Sequence, residues 1–179
     1  MKRVRLLITR GSQHAFQLVC TLLFAGGGVL AVAELTYGGI TQLAEQLEVE
    51  VIRMPLDADG LDVGAFANHP RLAEIRAVYV TPHHQYPTTV TLTAERRIQL
   101  LELARTHSFA ILEDDYDYDF YYERPPQLPL AALDRGAQVI YIGSFTKVLA
   151  PNLRVGFASL EEGELRTAVK VLGECYSSV

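Results

Sequence analysis

The sequence predicts an α/β fold built on a mostly parallel sheet of seven strands, and three observations predict it. Short apolar, β-branched runs alternate with amphipathic helical segments. Glycines and prolines fall between them. Several of the strand runs lack polar alternation, the pattern of strands covered on both faces.

In chain order, RLLIT at 5–9 is the first strand, and Gly11-Ser12 opens a helix over 12–24. GVLAVA at 28–33 is the second strand, followed by a helix over 38–47. VEVIRM at 49–54 and RAVYVT at 76–81 are the third and fourth strands, with a short helix at 62–67 between them. The helix over 93–107 has the clearest signals. Thr93 is a good N-cap, Glu95 suits the positive end of the helix dipole, and Ile98, Leu101 and Ala104 are expected on one buried face, with Leu100 and Leu103 also in the core. FAILE at 109–113, VIYIG at 139–143 and VGFASL at 155–160 complete the sheet, and a last helix is expected at 161–174. No repeat, low-complexity tract or interdomain linker interrupts the pattern, so 1–179 reads as one domain.

Apolar residues make up 49% of the chain, charged residues 21%, and the net charge is −5. That balance gives no electrostatic reason for nucleic-acid binding. The apolar stretch from Phe16 to Ala33 is broken by Gln17, Thr21 and three glycines, so neither a membrane span nor a signal peptide is expected. Cys20 and Cys175 sit in apolar helical patterns without metal-ligand spacing, and a reducing cytoplasm is the default.

Ligands of open α/β sheets sit at the carboxyl ends of the strands. The conspicuous polar residues lie there: Gly11-Ser12-Gln13, Tyr37, the segment 83–89, the acidic run after ILE at 111–113, and Ser144 to Lys147. Lys147 sits in a long uncharged stretch, with Ser144 and Thr146 before it and Arg154 after it. A lone lysine is more often a snorkelling surface residue. Hydroxyls and a guanidinium, however, are the donors that hold a phosphate, and a lysine of lowered pKa can form a Schiff base with an aldehyde. Together they describe pyridoxal 5′-phosphate (PLP). Gly11-Ser12-Gln13 at a helix start offers a second phosphate half-site, although Gly-Ser there is more often only a cap. PLP also needs a carboxylate at its pyridine nitrogen. Asp114 and Tyr116 share one side of the strand end, so one could meet that nitrogen and the other the 3-hydroxyl oxygen; Asp115, Asp117 and Asp119 would face away as solvent-side or turn residues. His83 and His84 face opposite sides of an extended segment and make a poor chelate, and no metal site is expected.

The blocks GSQHAFQLV, VTPHHQYPTTVTLTAERRIQLLELA, ILEDDYDYDF and YIGSFTKVLAPNLRVGF resemble, in order, the aminotransferase-like domain of MocR/GabR-type transcriptional regulators. The resemblance covers nearly the whole chain. It implies a three-layer αβα architecture, the large domain of the fold type I aminotransferases. It implies that Lys147 is the Schiff-base lysine, that Asp114 meets the pyridine nitrogen and Tyr116 the 3-hydroxyl oxygen, and that Ser12, Gln13, Ser144, Thr146 and Arg154 surround the phosphate. Tyr37 would lie over the ring face, its bland alternative being a turn tyrosine, and Tyr86 falls where related enzymes carry an asparagine that contacts the ring oxygen.

Two departures stand out. Thr89 replaces a glycine of the family's PTG turn, which puts the geometry near Tyr86 in question. The chain is also about half the length of a full subunit, so the resemblance implies neither a winged helix-turn-helix nor a C-terminal small domain within it. Three functions remain open: transaminase chemistry on an amino acid or amine in a complete version, with this chain alone weak or inactive; sensing of PLP or an amino-acid effector without turnover; or a remnant that no longer binds cofactor. A homodimer is implied by the resemblance.

Overall fold

The computed structural model describes residues 5–117, 127–134, 138–145 and 154–160. The expected helix at 161–174 lies outside these residues. The chain runs β1 (Arg5–Thr9), α1 (Ser12–Leu23), β2 (Val29–Ala33), α2 (Gly38–Gln46), β3 (Glu50–Met54), β4 (Leu56–Asp57), β5 (Gly60–Leu61) and α3 (Val63–Ala67). It continues through a 3₁₀ turn, β6 (Ile75–Val80), α4 (Ala94–His107), β7 (Ala110–Asp115), α5 (Leu130–Leu133), β8 (Val139–Ser144) and β9 (Gly156–Leu160).

All seven predicted strands form one sheet, in the order β1-β9-β8-β7-β6-β2-β3. β8, β7, β6, β2 and β3 run parallel, whereas β9 is antiparallel to both of its neighbours. Thr9 at the end of β1 and Ser144 at the end of β8 both pair with Gly156 at the start of β9. Residues just before β9 therefore reach the edge where the parallel strands end.

Two apolar layers cover the sheet. On one face Phe16, Val19 and Cys20 of α1 and Ile40 of α2 pack on Leu30, Tyr79 and Leu112. On the other, Phe66 of α3, Leu100 and Ala104 of α4 and Leu130 of α5 pack on Val78, Val80 and Ile111. Burial pushes the Cys20 thiol up to about 12, so it is an inert core group. No helix of the described residues is long and apolar enough to cross a membrane.

Capping follows the sequence signals. Thr93 Oγ1 accepts from Arg96 N, Glu95 lies in the first turn of α4, and Asp62 Oδ1 accepts from Ala65 N to start α3. The buried face of α4 is a correction: it runs through Arg97, Leu100 and Ala104, with Leu101 and Leu103 half-buried, while Ile98 is 54% exposed. An apolar spacing can be met by two overlapping stripes, and packing against α3 selects one. The β4–β5 hairpin was not expected; its signal is the Asp59-Gly60 pair, with Gly60 at φ +93°.

Candidate functional site

The sheet fixes the site from its strand ends. β1 stops at Thr9, and Gly11 (φ +88°) turns the chain into α1. Among the described residues no side chain caps that helix; its first N–H groups have no intrahelical partner, and the dipole leaves them positive. A Cβ on Gly156 would lie 2.5 Å from Gly11 C and 2.7 Å from Ser12 N, so only glycine lets β9 approach this closely. The approach sets Arg154 over the turn: a Cβ built on Gly11 would stand 3.7 Å from both its Nε and its Nη2. Ser144 closes β8 opposite the same residues, its hydroxyl directed at Val155 O.

At the next strand end along the sheet's centre, Asp114 is buried in β7, and its Oδ2 accepts a 2.6 Å bond from the Tyr79 hydroxyl. Tyr116 lies just beyond, donating to His84 O at 3.0 Å; burial and the nearby Asp117 charge push its phenol well above the ordinary range. Its ring stands edge-on to that of Tyr86 at 6.4 Å, and Tyr86 is edge-on to Tyr37 at 5.9 Å. Tyr37, the residue before α2, also meets Gln13 through a 3.4 Å contact between Nε2 and the phenol oxygen. A Cβ on Gly39 would fall 2.1 Å from Gln13 Nε2 and 2.4 Å from the Tyr37 ring, so this junction depends on glycine too. Thr146 and Lys147 lie outside the described residues.

Residues 1–178 match the family model Aminotransferase class I and II. The chain belongs to that family. It is 33% identical over 171 residues to the aromatic-amino-acid aminotransferase 1 of Thermococcus litoralis, covering 93% of this chain and 41% of that protein. It is 35% identical over 151 residues to the HTH-type transcriptional regulator TauR of Rhodobacter capsulatus, covering 84% of this chain and 30% of the regulator. Among solved structures, a kynurenine aminotransferase from Pyrococcus horikoshii in complex with PMP superposes with a TM-score of 0.88 at 32% identity, over 94% of this chain and 43% of that one. The sheet is that of the fold type I aminotransferases. The chain spans about two fifths or less of the length of each of these relatives.

In this aminotransferase domain the donor set suits PLP. An uncapped helix start beside a guanidinium matches a phosphate dianion, and among the described residues no carboxylate forms an ion pair with Arg154. The buried Asp114 suits a ring nitrogen that must carry a proton. A groove of about 340 Å³ between α1 and α2, lined by Arg10, His14 and Gln42 among others, touches this set only at Gln13. The donor geometry, not the groove, marks the site. Among the described residues no group of three or more metal-ligating side chains occurs.

The acidic run needs a correction. Asp115 points away from Asp114, but not to solvent: it is 3% exposed, accepts a 2.6 Å bond from the Tyr141 hydroxyl and lies 3.4 Å from His83 Nδ1. The strand is central, so its second face is also covered. Asp117 is not solvent-side either, pairing with His84 Nδ1 at 2.8 Å; Asp119 lies outside the described residues. Burial pushes the His83 imidazole down, but the hydrogen bond and charge of Asp115 outweigh it and its pKa is net raised, while Nε2 meets Gln127 O at 2.9 Å.

The PTT turn adopts the conformation that a glycine would ease. Thr89 sits at φ +61°, exposed, with its N–H bonded to Gln85 O. A left-handed β-branched residue costs about 1–2 kcal/mol, against roughly 0.5–1 kcal/mol for glycine's extra chain entropy. Thr89→Gly should therefore stabilise the fold by up to about 1 kcal/mol, raising Tm by about 2–4 °C. A lower Tm in a thermal melt would mean that the Thr89 side chain contributes more than its backbone costs.

Proposed function

We propose that this chain is a PLP-binding aminotransferase-like domain in which Lys147 forms a Schiff base with the cofactor aldehyde. One observation supports the reading above the others: the glycine-only contact between β9 and the start of α1, which sets Arg154 beside an uncapped helix N-terminus. In this reading Arg154, the α1 N–H groups, Ser12, Gln13, Ser144 and Thr146 neutralise and orient the phosphate. Asp114 holds a proton at the pyridine nitrogen, Tyr116 and Tyr86 serve the 3-hydroxyl oxygen, and Tyr37 covers the ring face. When bound, the protonated ring supplies an electron sink for carbanion chemistry at a substrate amino acid or amine. Displaced by the amino substrate, the Lys147 amine would take the proton from the substrate Cα and deliver it to the cofactor's C4′. The protein acts as a homodimer in the cytoplasm.

The similarity to TauR favours a second reading, in which the same pocket senses PLP or an amino-acid effector without turnover. Borohydride reduction of the PLP-incubated chain followed by peptide mapping tests the common core. A phosphopyridoxyl label on Lys147 is expected; no label, or label spread over surface lysines, overturns the proposal. Keto-acid formation from an amino donor then separates turnover from sensing.

A further inference from the structure

We infer that Tyr79 is a positioning residue for Asp114, fixing and charging the carboxylate that faces the cofactor ring; this rests on the PLP reading above. Tyr79 lies inside an apolar strand, and in sequence it is an ordinary core aromatic. β6 and β7 are parallel neighbours, with Tyr79 level with Leu112 and Val80 with Glu113. The side chain therefore reaches forward along the sheet to Asp114, two residues beyond its own partner, and its hydroxyl meets Oδ2 at 2.6 Å.

Several features make this more than a satisfied core hydroxyl. A buried tyrosine can hydrogen-bond any backbone carbonyl nearby, but here the acceptor is the one carboxylate that the site assigns to the ring nitrogen. The phenol ring is braced edge-on by Phe16 of α1, with centroids 5.5 Å apart, and both residues are almost fully buried. α1 is also the helix whose first turn forms the phosphate cradle, so one helix sets both ends of the site. Burial and the Asp114 charge push the phenol well above its ordinary range, so it stays a donor at every working pH. A short bond from a phenol to a carboxylate restricts its rotation and favours its ionised form, the form that holds a proton on a pyridine nitrogen.

The test uses the whole chain loaded with PLP labelled with 15N in the ring, comparing wild type, Tyr79→Phe, Asp114→Asn and the double variant. Wild type should show the 15N shift of a protonated pyridine. Tyr79→Phe should move that shift toward the unprotonated value and weaken PLP binding about tenfold, as expected for losing a hydrogen bond to a charged group. In the Asp114→Asn background the same change should alter affinity by no more than about twofold. If Tyr79→Phe does not fold, Phe16→Leu removes the brace and should give a smaller loss, about threefold, again absent beside Asp114→Asn.

Equal weakening in both backgrounds would make Tyr79 a packing residue and overturn the assignment. So would a Tyr79→Phe chain with unchanged shift and affinity, while leaving the PLP reading intact. A wild-type chain that takes up no PLP would overturn both.

Discussion

Replacing Arg97 by leucine should lower stability by about 3–5 kcal/mol, a fall in Tm of roughly 10 °C. Arg97 is 1% exposed, and its guanidinium donates to three backbone carbonyls: Nε to Leu92 O at 2.9 Å, Nη1 to Leu128 O at 2.9 Å and Nη2 to Pro82 O at 2.8 Å. Leucine would keep part of the packing but leave the buried Leu92 and Pro82 carbonyls without their donor, each costing about 1–3 kcal/mol, along with the part-buried Leu128 carbonyl. The neighbouring Arg96 makes an ion pair with Asp57 at 2.5 Å near the surface. Arg96→Leu should move Tm less, because Asp57 is 45% exposed and water replaces that bond, leaving only the part-buried bonds to Gly60 O and Leu61 O to be lost. Equal losses in chemical denaturation of the two variants would refute this ordering. Because Arg97 ties the segment 82–92 to residue 128, its loss should also loosen the turn that carries Tyr86.

Glu113→Gln should cost about 1–2 kcal/mol at pH 5, and this deficit should close and then reverse as pH rises through about 7. Glu113 is wholly buried, and both carboxylate oxygens accept from the start of α5, Oε1 from Leu130 N at 2.8 Å and Oε2 from Ala131 N at 2.9 Å. Burial pushes its pKa up to about 7; the two N–H bonds and the His83 charge pull it down, and Asp115 adds to the rise. A carboxyl raised from 4.5 in this way contributes stability fully present below pH 4.5 and lost as pH rises through 7, a loss on the order of 3 kcal/mol. Glutamine does not titrate, but it turns an NH₂ toward a backbone donor. Urea unfolding of both proteins at pH 5, 7 and 9 reads the difference. A deficit that widens with pH would mean that the α5 N–H bonds outweigh burial and that Glu113 is ionised throughout.

Local signals carried most of the architecture. Apolar, β-branched runs marked all seven strands to within a residue or two at their ends, and the central ones lack alternation because strands covered on both faces have nowhere to place polar side chains. Thr93 marked a helix start for an equally local reason, since an N-cap is satisfied by its own next turn. Thr89 was legible as a strained turn because one residue's φ decides it. The acidic run was only half legible: alternation put Asp115 opposite Asp114, but not under cover. Of the two adjacent arginines of α4, nothing in the sequence told the fully buried Arg97 from the partly buried Arg96.

The sequence by itself determined the order of strands and helices, the resemblance to aminotransferase-like domains and the set of residues able to hold a phosphorylated aldehyde. Tertiary structure decided which of them meet. The antiparallel β9 brings Arg154 onto Gly11 from far along the chain, and the β6–β7 register brings Tyr79 to Asp114. The same packing turned Asp115, Glu113 and Arg97 into buried, bonded groups. Such contacts join residues distant in sequence, and neither helical nor strand periodicity records them; they follow from which face of which element the assembled sheet covers.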